Sequence, residues 1–167
     1  MLIKDKIKSK DEIINISNEL RKQEKIIVTT NGCFDILHCN HINYLEKSKS
    51  YGNILIVMLN SDSSVKMLKG EKRPLVPQEQ RAKIIASLEP VDYVVIFEEI
   101  NPLNLMKEIK PDKHLKSGEI IEEKIRIEKE LVESWGGEYI HLGLEEGEST
   151  TSIIRKILEA YRNESLL

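Results

Sequence analysis

Two histidines, His38 and His41, stand three residues apart in Thr29-Thr30-Asn31-Gly32-Cys33-Phe34-Asp35-Ile36-Leu37-His38-Cys39-Asn40-His41. An apolar, β-branched run precedes this stretch and a helical pattern follows it. Residues at i and i+3 share a helix face, so both imidazoles can meet one ligand. The start of such a helix also presents unpaired backbone N–H groups and a partial positive charge, which suit phosphate oxygens. Hydrogen-bond donors placed there stabilise charge that develops during phosphoryl transfer. A lone histidine is commonly structural, whereas a pair at a strand-to-helix junction points to a nucleotide site.

Cys33 and Cys39 fall in the same stretch and raise a zinc cluster with His38 and His41 as an alternative. The spacing matches neither C-x2-C nor H-x3-5-H pairing, and reduced thiols are the plainer reading. No Walker sequence and no G-x-G-x-x-G occurs, so P-loop and dinucleotide fingerprints are absent. Lys66, Lys69, Lys72 and Arg73 make a locally basic loop that ends in Pro74 and Pro77.

The elements that must position these groups alternate along the chain. Ser9-Lys10-Asp11-Glu12 starts an amphipathic helix over about residues 9–23, with Ile13, Ile14, Ile16 and Leu20 at helical spacing. Residues 26–30 and 54–59 are buried-strand runs joined by a helix that carries Ile42 and Leu45, with Gly52 as its expected C-cap. That is a βαβ unit, which gathers the residues following each strand along one sheet edge. Asn60 to Ser64 end the second run. A helix from Gln78 uses Ile84, Ile85 and Leu88, and strand patterns recur at 93–97, 113–116 and 138–142. Asn101-Pro102 opens a helix that ends before Pro111. Charges between Glu119 and Glu133 read as a solvated helix face, and Trp135 reads as packing. Gly147 to Thr151 cap a last helix with Ile153, Ile154, Ile157 and Leu158 facing inward. The expected fold is α/β, a Rossmann-like doubly wound parallel sheet of about five strands flanked by helices.

At 167 residues, 40% hydrophobic and 32% charged, the chain is expected to form a single domain over 1–167 with one proper core. No apolar run approaches the roughly 20 residues of a membrane helix, and no signal-peptide core follows the N-terminus, so no membrane partner and a cytoplasmic location are expected. A net charge of -3 argues against general nucleic-acid binding.

Gly32 to His41 resembles the signature of the cytidylyltransferase-like nucleotidyltransferases, with its His-x-Gly-His element. The resemblance continues through Asn60-Ser61-Asp62, Lys69 to Pro74, Gln78 to Arg81, Val91 to Val94, Lys110-Pro111-Asp112, Lys116-Ser117-Gly118 and Glu146 to Thr151. It spans about residues 10 to 160, with a catalytic core at about 25–160. Within the family the likeness is greatest to the bacterial D-glycero-β-D-manno-heptose 1-phosphate adenylyltransferase domain, in some bacteria fused to a sugar kinase; the absence of a kinase half here implies a stand-alone transferase.

The resemblance implies attack by a sugar phosphate on the α-phosphorus of an NTP, ATP by preference, with pyrophosphate leaving and Mg²⁺ on the triphosphate. It implies a catalytic role for His38, His41 and Lys69. Thr30, Asn31, Gly32, Cys33, Phe34 and Lys116 would line the nucleotide site, with Ser149, Thr150 and Thr151 holding phosphate at a helix start. Asn60, Asp62, Lys69, Arg73 and Arg81 would bind substrate phosphate; for Lys69 and Arg73 the alternative is a solvated loop, and for Arg81 a helix-face salt bridge. Asp35 reads as a structural residue of the loop, with a metal contact as the alternative, and no metal ligand is assigned to the protein. A homodimer is expected by family likeness. Asn40 stands where the signature has glycine and Ser117 where a second glycine is common. Two other readings remain: a CTP-dependent glycerol 3-phosphate or polyol phosphate cytidylyltransferase, and a non-catalytic nucleotide-binding module.

Overall fold

Buried β-branched runs and amphipathic segments alternate, and in the computed structural model each becomes the strand or helix its spacing favours. Residues 2–118, 121–143 and 149–162 are described; Glu146, Gly147 and Glu148 of the last motif lie outside them. The strands are β1 (Ile7–Lys8), β2 (Ile27–Gly32), β3 (Ile54–Asn60), β4 (Tyr93–Phe97), β5 (Lys113–Ser117) and β6 (Glu138–Leu142). The helices are α1 (Ile3–Lys6), α2 (Lys10–Lys22), α3 (Cys39–Lys49), α4 (Asp62–Lys69), α5 (Gln78–Ala86), α6 (Leu103–Ile109), α7 (Glu122–Glu133) and α8 (Thr150–Ala160).

All pairings are parallel, in the order β1-β4-β3-β2-β5-β6. Helices cover both faces, as a parallel sheet requires. On one face Val28, Leu55, Val57 and Leu115 pack with Leu45 of α3 and Ile85 of α5. On the other, Ile27, Ile56 and Met58 pack with Ile13 of α2, Met106 of α6 and Val132 of α7. The chain runs from β2 to β3 and β4 on one side, then crosses back to β5 and β6. The carboxyl ends of β2 and β5 therefore form the topological switch point, where open α/β sheets bind ligands.

The sheet has one strand more than the expected five. β1 is only two residues long and pairs with β4, too short to leave a period-2 signal. The basic loop is partly helical: α4 runs through Lys69, with Ser61 accepting from the Ser64 N–H at 3.1 Å as its N-cap. Ser9 and Glu12 form the capping box of α2. Gly52 is not a left-handed cap: α3 ends at Lys49 with Ser50 as its C-cap, and Gly52 has no positive φ. A Cβ on Gly52 would meet Val28 Cγ2 at 2.5 Å and the Ile26 carbonyl at 2.9 Å, so a close backbone approach to β2 explains the glycine. Ile157 and Leu158 of α8 are exposed rather than inward-facing. An amphipathic pattern identifies an apolar face but not what covers it.

Candidate functional site

A cavity of about 860 Å³ opens over the switch point. Asn31 and Gly32 line it from the end of β2, and Cys33, Phe34 and Asp35 from the following loop. His38, Asn40, His41, Tyr44 and Lys47 approach from the start and first turns of α3, and Lys69 and Arg73 from the end of α4 and the segment beyond. Lys116, Ser117 and Gly118 close the β5 side, and Ser149, Thr150 and Thr151 the start of α8. The fold thus gathers cations from three separate segments around two histidines.

His38 is the N-cap of α3 and His41 sits in its first turn, so the helix itself sets their spacing. Their rings stack with centroids 3.7 Å apart and planes at 27°. The Phe34 ring closes on His41 at 5.0 Å, from a backbone at φ 45°, a left-handed conformation uncommon for an aromatic residue. Gly32 makes room for that ring, since a Cβ there would lie 2.8 Å from Phe34 Cε2. Burial, and then the neighbouring His38, lowers the His41 pKa to about 4, so the ring is neutral near pH 7. His41 Nδ1 is buried with no hydrogen-bond partner. A buried polar atom in that condition is costly, and a ligand oxygen or water in the cavity relieves it.

Tyr44, one helical turn beyond His41, ties α3 to the switch point. Its hydroxyl lies 2.5 Å from Thr30 Oγ1 and donates to the Leu115 carbonyl at 2.8 Å. The expected nucleotide residue Thr30 is fully buried and reaches the site only through this bridge. Across the opening, Lys116 Nζ donates to Asn31 Oδ1 at 2.8 Å, joining the ends of β5 and β2.

The segment after α4 is fastened by Asp35. Its carboxylate accepts from Arg73 Nε at 2.5 Å and from the backbone N–H groups of Leu75 and Val76 at 2.8 Å and 2.9 Å. Burial raises the Asp35 pKa, but the Val76, Leu75 and Arg73 bonds outweigh it and the net direction is down. Asp35 therefore stays a carboxylate, and Arg73 is held on the cavity wall.

Arg81, Asn60 and Asp62 do not line the cavity. Arg81 is fully buried, donating to the carbonyls of Val76, Cys33 and Asn60 at 2.8, 2.6 and 2.9 Å and to Asp62 Oδ1 at 2.6 Å. It joins three segments through their carbonyls and pairs with Asp62, away from the cavity wall. Asn60 Nδ2 donates to Ser64 Oγ at 2.9 Å from a buried position. Lone side chains looked alike in sequence; their long-range partners decide between substrate and scaffold.

At the α8 start, Ser149 Oγ accepts from the Ser152 N–H at 3.0 Å, and Thr150 Oγ1 donates to the Ile36 carbonyl at 3.3 Å, docking the helix start against the histidine loop. Asn40 is helical, so its backbone does not require glycine, and it lines the cavity. Burial raises the Cys33 thiol pKa, keeping it protonated. Among the described residues no three His, Cys, Asp or Glu side chains are grouped to hold a metal ion. No helix among them is long and apolar enough to cross a membrane. Nothing in the local sequence around Tyr44 marks it as a site residue; the one available signal is that a buried tyrosine hydroxyl needs a polar partner.

A family model described as cytidylyltransferase-like matches residues 29–156. The protein named Bifunctional protein HldE from Geobacter sulfurreducens is 46% identical over 159 residues, covering 95% of this chain and 32% of that protein. The protein of the same name from Geobacter metallireducens is 48% identical over the same share of both chains. The chain spans about a third of the length of these curated relatives. A lipopolysaccharide core biosynthesis protein from Thermoplasma volcanium superposes with a TM-score of 0.61 at 26% identity, over 74% of this chain and 99% of that one. Pantoate-beta-alanine ligase from Francisella tularensis shares the fold alone, with a TM-score of 0.63 at 18% identity over 95% of this chain and 79% of that one.

Proposed function

The chain belongs to the cytidylyltransferase-like family, and from that premise we propose that it transfers the nucleoside monophosphate of an NTP, ATP by preference, to D-glycero-β-D-manno-heptose 1-phosphate. The observation that carries the reading is the stacked His38–His41 pair, with His41 Nδ1 unpartnered, in a cavity also walled by Lys69, Arg73 and Lys116. An oxygen of the sugar phosphate attacks the α-phosphorus; the new P–O bond forms as the bond to the β-phosphate bridge breaks, and pyrophosphate leaves. No covalent enzyme intermediate is needed, so the protein's contribution is orientation and charge stabilisation.

In this reading His38 and His41 donate to phosphoryl oxygens whose charge grows in the transition state. Lys69 and Arg73 neutralise the phosphates from one side, and the α8 start supplies hydroxyls and N–H groups from another. Mg²⁺ bound with the triphosphate would supply further neutralisation of its charge. Among the described residues the carboxylate on the cavity wall, Asp35, is already engaged by Arg73, Leu75 and Val76, so the ion would be held chiefly by the triphosphate. The homodimer, the cytoplasmic location and the absence of nucleic-acid partners belong to the same proposal.

Pyrophosphate release measured with ATP, CTP, GTP and UTP against heptose 1-phosphate and glycerol 3-phosphate tests it. Turnover is expected to be highest with ATP and heptose 1-phosphate. Turnover only with CTP and glycerol 3-phosphate overturns the substrate assignment, and nucleotide binding with no turnover on any acceptor overturns the enzymatic one.

A further inference from the structure

The charged helix α7 carries one residue that breaks its solvated pattern. Glu128 is 7% exposed, whereas Arg126 and Glu130 beside it form an exposed i, i+4 pair. Its carboxylate points beneath the sheet edge, with Oε1 at 4.0 Å from Lys116 Nζ and Oε2 at 3.5 Å from the Tyr139 hydroxyl, which donates to it. Lys116 in turn donates to Asn31 and lines the cavity. A buried carboxylate is strongly disfavoured without a partner, and the cation paired with this one is a lysine of the site.

We propose that Glu128 is a positioning residue for the bound nucleotide: it holds the Lys116 ammonium charged and in place from below the cavity, without touching the ligand. The proposal rests on the nucleotidyltransferase reading of the cavity. Burial pushes the Lys116 pKa down, and Glu128 is the largest opposing influence, followed by Cys33 from the loop after β2, while Lys124 of α7 lowers it further. Tyr139 and His141 of β6 and His114 of β5 share this face: Tyr139 and His141 stand opposite His114 and Lys116 in the β5–β6 register. With Glu128 neutralised, desolvation of the ammonium is left with little to oppose it, and Lys116 loses its proton nearer neutral pH.

Calorimetric titration of the full chain with ATP between pH 6.5 and 9 reads this. The unaltered protein is expected to bind with little change across that range. Glu128→Gln is expected to match it at pH 6.5 and to lose about tenfold in affinity by pH 9, the scale of removing an opposite charge at about 4 Å. Lys116→Met is expected to bind weakly at every pH, setting the floor toward which Glu128→Gln falls. A pH profile for Glu128→Gln parallel to that of the unaltered protein overturns the proposal, since a merely structural role lowers melting temperature without moving the profile. Should Glu128→Gln not fold, Glu128→Asp, with its carboxylate withdrawn from Lys116, must show the same alkaline loss in smaller degree, and its absence is equally decisive. ATP binding that follows these profiles without pyrophosphate release upholds the Glu128 role and overturns catalysis alone; failure of the unaltered protein to bind any nucleoside triphosphate overturns both.

Discussion

His41 illustrates how one side chain couples burial to ligand binding. The free protein keeps it neutral, at a pKa of about 4 caused first by burial and then by His38. A triphosphate oxygen against Nδ1 adds an opposite charge and a hydrogen bond to the protonated form, both of which raise the pKa. Nucleotide binding at about pH 6 is therefore expected to take up protons, measured by calorimetry in buffers of different ionisation enthalpy. His41→Ala is expected to abolish most of that uptake, and equal uptake by both proteins would remove His41 from the phosphate contact. The placement of the histidine pair was legible in the sequence because it is set locally, by a three-residue spacing at a helix start. The roles of Arg81 and Tyr44 were not, because their deciding partners lie 48 and 71 residues away. Asn40 lies between, since its departure from the signature was visible but its place on the cavity wall was not.

Elements carry the site through a few cross-links. Asp35 fastens the segment beyond α4, Arg81 joins that segment to the ends of β2 and β3, and Thr150 docks the α8 start on the Ile36 carbonyl. Asp35→Asn keeps one acceptor oxygen but loses the charge that pairs with Arg73. Because the Asp35 side chain is fully buried, the change is expected to cost roughly 1–3 kcal/mol of stability, the scale of weakening a buried charge-assisted bond. Denaturant unfolding measures that cost, and a rise in KM for the nucleotide with a smaller change in kcat is expected alongside it. Unchanged stability and KM would show that Arg73 needs no such anchor. At this scale the strand and helix order followed from hydrophobic periodicity, and β2, β3 and β4 fall where the buried runs predict. Periodicity missed β1 for its two-residue length and α4 because its serine-rich start reads equally as a turn.

For the whole molecule, the switch-point topology explains why residues from six segments meet over one sheet edge. Two imidazoles are withdrawn from solvent in this half of the sheet. His41 and the fully buried His114 both have pKa values below the ordinary 6.5, burial being the first cause for each. A group whose folded pKa is depressed contributes stability that is present above its unfolded value and lost as pH falls through the folded one. Their contribution is thus complete above about pH 6.5 and declines below it, for His41 toward pH 4. Glu128, raised by burial, acts in the opposite sense, while Asp35 adds loss only as the pH drops below its ordinary 3.8. Comparison of His41→Asn with the unaltered protein isolates one imidazole: the variant is expected to lose less melting temperature between pH 6.5 and 4.5, measured by calorimetry. Parallel curves would contradict the buried neutral state of His41.

The central claim, nucleotidyl transfer organised by the histidine pair, is tested most directly by mass-spectrometric product analysis after incubation with ATP, Mg²⁺ and heptose 1-phosphate. ADP-heptose is expected in equimolar yield with pyrophosphate, and a rate lower by on the order of a hundredfold or more in folded His41→Ala, the scale of losing a transition-state donor. ADP and inorganic phosphate in place of those products, or undiminished turnover by His41→Ala, would contradict it.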